Sequence, residues 1–281
     1  MINEKIDLYG YFGLKRGKDA EGYLTSYVPS NTGEIKQKLR PAVIIIPGGA
    51  YRMCSEREGE PVAIKFLNEG YAAFVLNYSV FTAYPVPLAE ALAAVAYVRR
   101  NAQRFAVDVN HVATLGFSAG GHLAGMTATM FDDKKCGEML GIGVDELRPN
   151  ATVLCYPVTT SDKAYAHAES FRIISGGDSA LADYLSLEKR VNANSVPSFI
   201  WHTAADDCVP VNNSLLLAEA YLKCGVPCAL HVFEKGWHGL SLCNCETNDQ
   251  TEEDAALVSV RKWFDLAIDW LRDRNFAVKV K

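Results

Sequence analysis

The 281-residue chain has no apolar run that approaches the roughly 18 residues of a membrane span, and its start, Met1 to Asp7, carries charges where a signal peptide would be hydrophobic. It also has no excess of basic residues, because 28 Lys and Arg stand against 33 Asp and Glu and leave a net charge of −5. A nucleic-acid surface needs clustered Lys and Arg to neutralise phosphates. These absences argue against membrane and nucleic-acid partners, and we expect a soluble, cytoplasmic protein.

The cysteines provide no framework of disulfides or metal ligands. In a reducing compartment the eight cysteines are expected to be thiols. Cys224, Cys228, Cys243 and Cys245 lie near one another in the sequence, but their C-x3-C and C-x-C spacings differ from the C-x2-C pairs of common zinc sites. We therefore predict no metal site and no cofactor.

What the sequence does contain is an alternation of strand and helix patterns. Short apolar runs, typical of strands buried on both faces of a sheet, occur at 41–46, 72–78, 112–115 and 153–156, and further strands are predicted at 198–201 and 229–233. Helical periodicity occurs over 58–68, 88–105, 119–130, 214–224 and 257–271. The alternation predicts a single α/β domain over 1–281, with a mostly parallel central sheet and helices on both faces.

Two segments depart from this alternation. Aromatic and β-branched residues at 9–12 and 23–28, on either side of a charged loop, predict an antiparallel pair of strands at the N-terminus. Residues 158–196 have poor periodicity, and an interruption of this length is usually functional. We interpret them as a small cap insertion over the C-terminal edge of the sheet. Further on, Thr251 and Asp254 indicate a capping box for the final helix.

The sequence is organised around residues 116–120, Gly-Phe-Ser-Ala-Gly, which lie between a buried strand and a helix. In this context G-x-S-x-G forms a nucleophile elbow, in which the serine hydroxyl is exposed on a strained turn. The glycines are needed because a Cβ beside such a turn would clash with neighbouring backbone. The five-residue pattern alone is common, so the prediction that Ser118 is a nucleophile depends on its partners.

A serine nucleophile needs a histidine to take its proton and usually a carboxylate to orient the imidazole. Among six histidines, His238 lies between two glycines in a loop directly after a strand, where the chain order Ser, Asp, His places the base. Asp206 and Asp207 follow the preceding strand, and spacing alone hardly separates them as the acid.

Acyl-transfer chemistry also needs N–H donors for the developing oxyanion. Gly48, Gly49 and Ala50 follow a buried strand and have backbone N–H groups that little side-chain bulk covers. The amide of Ala119, directly after the serine, is a further donor. We predict an oxyanion hole made by Gly49, Ala50 and Ala119.

The sequence resembles the α/β-hydrolase fold, in particular its short esterase/lipase branch with acetylxylan-esterase-like and feruloyl-esterase-like enzymes. The resemblance rests on segments 47–51, a variant of the H-G-G-G loop with Pro47 and Ala50 as departures, and 116–122, 202–210 and 234–239. The family's acid loop, H-G-x-x-D-x-x-V-P, is matched with Thr203 in place of its glycine. This register implies Asp206, rather than Asp207, as the acid.

The resemblance implies a serine carboxylic-ester hydrolase that acts on small soluble esters with short acyl groups such as acetyl, including esters of sugars or xylo-oligosaccharides. Gly48, Tyr51, Tyr165 and His167 are candidates for substrate contact. Two alternatives are a serine peptidase of related fold and an inactive hydrolase-fold binding protein. The oligomeric state stays open, with a homo-oligomer among the options.

Overall fold

The structure, a computed structural model, describes residues 1–17, 20–34, 36, 38–249 and 257–280. Its strands are β1 (Ile2–Ile6), β2 (Tyr23–Val28), β3 (Lys38–Ile46), β4 (Ala72–Asn77), β5 (Val107–Phe117), β6 (Ala151–Cys155), β7 (Ser198–Thr203), β8 (Cys228–Phe233) and β9 (Lys279–Val280). They form one sheet in the order β1-β2-β4-β3-β5-β6-β7-β8, with β9 paired to β3.

The helices connect and cover these strands. They are α1 (Leu8–Phe12), α2 (Glu60–Asn68), α3 (Val86–Arg100), α4 (Ala102–Phe105), α5 (Ser118–Thr129), α6 (Lys134–Leu140), α7 (Val144–Leu147), α8 (Ala168–Ile174), α9 (Ser179–Tyr184), α10 (Asn212–Lys223), α11 (Val258–Arg261) and α12 (Trp263–Arg272). Short 3-10 turns occur at Glu56–Glu58 and Leu187–Lys189. In the described part of the chain no helix is long and apolar enough to cross a membrane.

The central strands are parallel and the N-terminal strands are antiparallel. β4, β3, β5, β6, β7 and β8 pair in parallel, whereas β1 pairs antiparallel with β2, and β2 with β4. The predicted fold class is therefore confirmed. Because parallel strands end at one edge of the sheet, the loops after β3, β5, β6, β7 and β8 meet there.

Each central strand contributes to two cores. In β3, Ile44 and Ile46 belong to the cluster under α3 and α5, while Val43 and Ile45 belong to the cluster under α2 and α12. The side chains alternate because successive Cβ atoms in a strand point to opposite faces. This two-sided burial explains why the strand sequences are continuous apolar runs.

The N-terminal prediction was wrong in one respect. Residues 9–12 do not form a strand but lie in α1, which begins where the Asp7 side chain accepts a hydrogen bond from Tyr9 N and ends at Gly13 with φ of 64°. The strand that pairs with β2 precedes this helix, with Ile2 opposite Val28. An N-cap and a left-handed glycine therefore outweigh the β propensity of the aromatic residues.

Residues 158–196 contain α8, α9 and the 3-10 turn at Leu187–Lys189. The segment is joined to α5 by His122, whose Nε2 donates to Leu185 O at 2.8 Å while its Nδ1 accepts from Tyr51 at 2.7 Å. His122 thus joins the helix behind Ser118 to both the 158–196 segment and the loop after β3. The capping box predicted at Thr251 and Asp254 lies outside the described residues.

Candidate active site

Ser118 lies on a sharp turn between β5 and α5. Its φ is 53°, in the left-handed region that residues with a Cβ seldom adopt. The flanking glycines allow the turn, because a Cβ on Gly116 would lie 2.0 Å from Gly120 O, and one on Gly120 would lie 2.2 Å from Ile46 O. The turn has the geometry of a nucleophile elbow.

Ser118, His238 and Asp206 form a continuous hydrogen-bonded series. Ser118 Oγ lies 2.8 Å from His238 Nε2, and His238 Nδ1 lies 2.8 Å from Asp206 Oδ2. An ionised carboxylate can only accept hydrogen bonds, so the imidazole proton is on Nδ1 and Nε2 is free to accept the serine proton. The structure thus brings together the three residues proposed from sequence as nucleophile, base and acid.

The Asp206 carboxylate is held in an ionised state. Its side chain is 1% exposed; burial raises its pKa, but hydrogen bonds from His202, His238 and Val209 N outweigh burial and hold the pKa well below its usual range. Oδ1 accepts from the Cys208 and Val209 backbone N–H groups at 2.9 and 2.8 Å. Both oxygens therefore have donors, and the carboxylate has one defined orientation.

Asp207 occupies a different environment from its neighbour. It is exposed, and its Oδ1 accepts from the His238 backbone N–H at 3.3 Å. The side chain thus contacts the histidine loop but not the imidazole nitrogen. Of the two aspartates left open by spacing, it is Asp206 that lies against the ring.

The glycine-rich loop after β3 lies beside the elbow. A Cβ on Gly48 would lie 2.8 Å from Phe117 O and 3.0 Å from Ser118 Cβ, so only glycine fits this close approach. Gly49 and Ala50 have positive φ values of 125° and 57° and line the pocket that contains Ser118. In the part of the chain that is described, neither of their N–H groups donates to another protein atom.

A pocket of about 600 Å³ opens over Ser118 and His238. It is also lined by Arg52, Met53 and Phe81. Its size falls within the range of small-molecule sites. Met53 and Phe81 are exposed, so the pocket has an apolar rim.

The four candidates for substrate contact have different positions. His167, from the 158–196 segment, lines the pocket. Tyr51 is fully buried and bonded to His122, so its side chain packs beneath the loop. Tyr165 is half-buried, and its carbonyl accepts from Asn213 Nδ2 at 2.9 Å. Within the described residues the pocket lining includes neither tyrosine nor Gly48, whose N–H is bonded to Glu58 at 2.8 Å.

Sequence reasoning missed Glu58 and Tyr156, which lie around the series. Glu58 is buried and lines the pocket, and burial raises its pKa. Tyr156 follows β6, and its ring packs edge-on against His238 with a centroid distance of 5.1 Å. An isolated glutamate beside a helix and a tyrosine at a strand end carry no motif, so no local signal distinguished them.

The cysteines and the possible metal-binding side chains form no further site in the described residues. Seven of the eight cysteines, at positions 54, 136, 155, 208, 224, 228 and 245, are free thiols. Across the described ranges, no group of three or more His, Cys, Asp or Glu side chains is arranged to hold a metal ion.

A parallel sheet with a serine on a strand-to-helix turn, and with a histidine and an aspartate on later loops at the same edge, defines an α/β hydrolase. The family model described as BD-FAE matches residues 26–221. The chain belongs to the BD-FAE family, and the predicted esterase branch of the α/β-hydrolase fold is confirmed.

Individual relatives agree with this assignment. The chain is 40% identical over 214 residues to endo-1,4-beta-xylanase B of Butyrivibrio fibrisolvens, covering 74% of this chain and 33% of the relative. It is 29% identical over 236 residues to an acetylxylan esterase of Xylanibacter ruminicola, covering 81% and 45%. The chain thus spans less than half the length of these curated relatives.

A solved structure matches over nearly its whole length. The acetyl ester-xyloside bifunctional hydrolase of Caldicellulosiruptor lactoaceticus superposes with a TM-score of 0.78 at 37% identity, covering 91% of this chain and 89% of that one. The described architecture therefore corresponds to most of that protein's chain.

Proposed function

We propose that this protein is a serine carboxylic-ester hydrolase that acts on short-chain acyl esters, above all acetyl esters of sugars or xylo-oligosaccharides. The observation that carries the proposal is the series Ser118 Oγ, His238 Nε2, His238 Nδ1 and Asp206 Oδ2, with both hydrogen bonds at 2.8 Å, beneath an open pocket. The elbow strain at Ser118 supports it, because such strain concentrates at reactive residues.

In the first half-reaction, Ser118 Oγ attacks the ester carbonyl carbon while His238 Nε2 takes the hydroxyl proton. The carbonyl electron pair moves to oxygen, and the N–H groups of Gly49, Ala50 and Ala119 stabilise this oxyanion. The imidazolium is stabilised by the ionised Asp206. When the intermediate collapses, the alcohol leaves with the proton from Nε2, and the acyl group remains on Ser118.

In the second half-reaction, water replaces the alcohol in the pocket. His238 Nε2 takes a proton from the water as its oxygen attacks the acyl carbon, and the same N–H groups bind the second oxyanion. Collapse returns the proton to Ser118 Oγ and releases the carboxylic acid. The cycle consumes one water and needs no metal or other cofactor.

The substrate class follows from the pocket and the relatives. A pocket of about 600 Å³ admits a short acyl group and part of a sugar, and Met53 and Phe81 at its rim offer apolar surface to a pyranose face. Two relatives are called an acetylxylan esterase and an acetyl ester-xyloside hydrolase. These names support acetylated xylo-oligosaccharides as substrates here.

We further propose that 158–196 acts as a small cap within a single hydrolase domain. His167, the N-cap residue of α8, lines the pocket beside His238. Leu185 is tied to His122 on α5, so the segment is attached directly to the helix behind the nucleophile. The cap thus contributes the His167 side chain to the pocket, and the hydrogen bond between Leu185 and His122 holds the cap segment against α5.

Hydrolysis of p-nitrophenyl acetate by wild type, Ser118→Ala and Ser259→Ala tests the mechanism. Ser259 is an exposed serine of α11 and is the matched control. We expect turnover to disappear only in Ser118→Ala, with melting temperatures unchanged. Turnover retained by Ser118→Ala would refute the role of this serine.

The substrate proposal needs a separate experiment. Rates on p-nitrophenyl esters from acetyl to octanoyl should fall with acyl length, and acetylated xylo-oligosaccharides should release acetate. A preference for octanoyl over acetyl esters, or no acetate release, would contradict the proposed substrate class.

A further inference from the structure

Glu58 is a buried carboxyl group at the proposed active site that the mechanism above does not use. It ends the 3-10 turn Glu56–Glu58, is 3% exposed, and lines the pocket with Ser118 and His238. A buried carboxyl group is retained only where hydrogen bonds satisfy its oxygens. The partners of its two oxygens therefore indicate what it does.

The first oxygen holds the glycine-rich loop. Glu58 Oε2 accepts from the Gly48 N–H at 2.8 Å. Gly48 lies against the elbow, since a Cβ there would be 3.0 Å from Ser118 Cβ. Gly49 and Ala50, the proposed oxyanion donors, come directly after this anchored residue in the chain.

The second oxygen holds the residue that packs on the base. Glu58 Oε1 accepts from the Tyr156 hydroxyl at 2.6 Å, and the Tyr156 ring lies edge-on to His238 at an interplanar angle of 71°. Tyr156 has φ of 36°, so neighbouring contacts must hold it in this strained conformation. The carboxyl group supplies one such contact.

The histidine loop is attached to the same network. The Ser241 N–H donates to the Tyr156 hydroxyl oxygen at 2.9 Å, and Ser241 Oγ donates to Arg57 O at 2.7 Å. Ser241 lies three residues after His238. Three loops, after β3, β6 and β8, thus meet at Glu58 and the residue before it.

Glu90 is a second buried carboxyl group with comparable hydrogen bonds, and it lies outside the pocket lining. It accepts from the Tyr9 hydroxyl at 2.6 Å and from Ser79 N at 2.7 Å, under α1 and away from the pocket lining. Both glutamates are 3% exposed. Glu90 is therefore a matched control for the general cost of removing a buried carboxyl group.

We propose that Glu58 is a positioning residue that fixes the oxyanion loop, through Gly48, relative to His238, through Tyr156 and Ser241. The inference rests on the proposed ester hydrolysis and deepens it. Donors to an oxyanion act only when they are held in place before the reaction. A misplacement of about 1 Å can lower a rate roughly 100-fold.

The test compares kcat and KM for p-nitrophenyl acetate in Glu58→Ala, Glu58→Gln and Glu90→Ala. Glu58→Ala should lower kcat roughly 10- to 100-fold with KM within about twofold, because ground-state contacts are unchanged. Glu58→Gln should recover part of kcat, since its carbonyl can still accept from Gly48 while its NH2 group cannot accept from the Tyr156 hydroxyl. Glu90→Ala should lower the melting temperature and leave kcat unchanged.

Tyr156→Phe keeps the test decisive if Glu58→Ala does not fold. It removes the hydroxyl but keeps the ring on His238, and kcat should fall several-fold at constant KM. In the double variant, which combines Glu58→Ala with Tyr156→Phe, the two losses of kcat should not multiply, since the two residues act as one unit.

Several results would overturn the inference. They are wild-type kcat in folded Glu58→Ala or in Tyr156→Phe, an equal loss in Glu58→Gln and Glu58→Ala, or multiplying losses in the double variant. A wild-type protein without esterase activity would instead refute the proposed function itself.

Discussion

Replacing Asp206 by Asn should abolish most activity without unfolding the protein. In the structure Oδ1 accepts from two backbone N–H groups, of Cys208 and Val209, at 2.9 and 2.8 Å. The amide oxygen of an asparagine must take this position, because its NH2 group cannot accept. The NH2 group then occupies the Oδ2 position, 2.8 Å from His238 Nδ1.

The consequence is a change of tautomer. An NH2 group facing Nδ1 makes that nitrogen the acceptor, so the imidazole proton moves to Nε2. His238 Nε2 then donates towards Ser118 Oγ and cannot take its proton. In serine proteases the corresponding change lowers kcat roughly 10⁴-fold, or ~5 kcal/mol of activation free energy, and we expect a loss of this order.

Asp207→Asn is the matched control. Its Oδ1 accepts from the His238 backbone N–H, and an amide oxygen can do the same. We expect kcat for p-nitrophenyl acetate within about twofold of wild type. Both variants should be assayed after their melting temperatures are measured. A loss below tenfold in Asp206→Asn, or a comparable loss in Asp207→Asn, would refute this reasoning.

Three further predictions concern stability. Gly120→Ala should lower the free energy of unfolding, measured by urea titration, by about 3 kcal/mol, because its Cβ would lie 2.2 Å from a backbone oxygen. Gly137→Ala should raise the free energy of unfolding by about 0.5–1 kcal/mol, because its Cβ would have no atom within 4 Å. Trp263→Ala should cost about 3–5 kcal/mol, since it removes the ring stacked on Trp201 at 5.2 Å; a loss below 1 kcal/mol would contradict this packing. The folded state holds the pKa of Asp206 below its ordinary value near 4. Its charge therefore stabilises the fold above that pH, and this stabilisation is lost as the pH falls through the lower pKa of the folded state. The unfolding free energies of wild type and Asp206→Asn should therefore converge on acidification and not diverge.

The fold was largely predictable because the strands β3 to β7 are buried on both faces. Such burial demands continuous apolar sequence, as in Val43 to Ile46, and this signal is visible without any partner strand. The N-terminus was harder, since the residues at 9–12 have strand propensities but are held in α1 by the caps at Asp7 and Gly13. Among the described residues, the short strand β9 pairs with Lys38 and Leu39, too few residues to leave a pattern.

The candidate site likewise contains residues that the sequence predicted and residues whose positions it did not predict. Ser118 and His238 belong to local patterns, a glycine-flanked turn and a glycine-flanked loop, that their backbone conformations require. Tyr51 and His167 look alike as candidates in the sequence, yet one is buried against His122 and the other lines the pocket. Side-chain direction at such positions depends on distant packing, which local sequence does not encode.

The sequence by itself determined the order of the candidate site residues along the chain: a serine on an elbow, an aspartate after a later strand and a histidine after the next strand. It did so because backbone strain and two-sided burial impose residue types locally. The resemblance implied Asp206 as the acid, but only the tertiary structure shows that Asp206 contacts the imidazole and that Glu58 joins the Gly48 and Tyr156 loops. Those contacts link residues up to 98 positions apart, and they exist only once the parallel strands bring their loops to one edge.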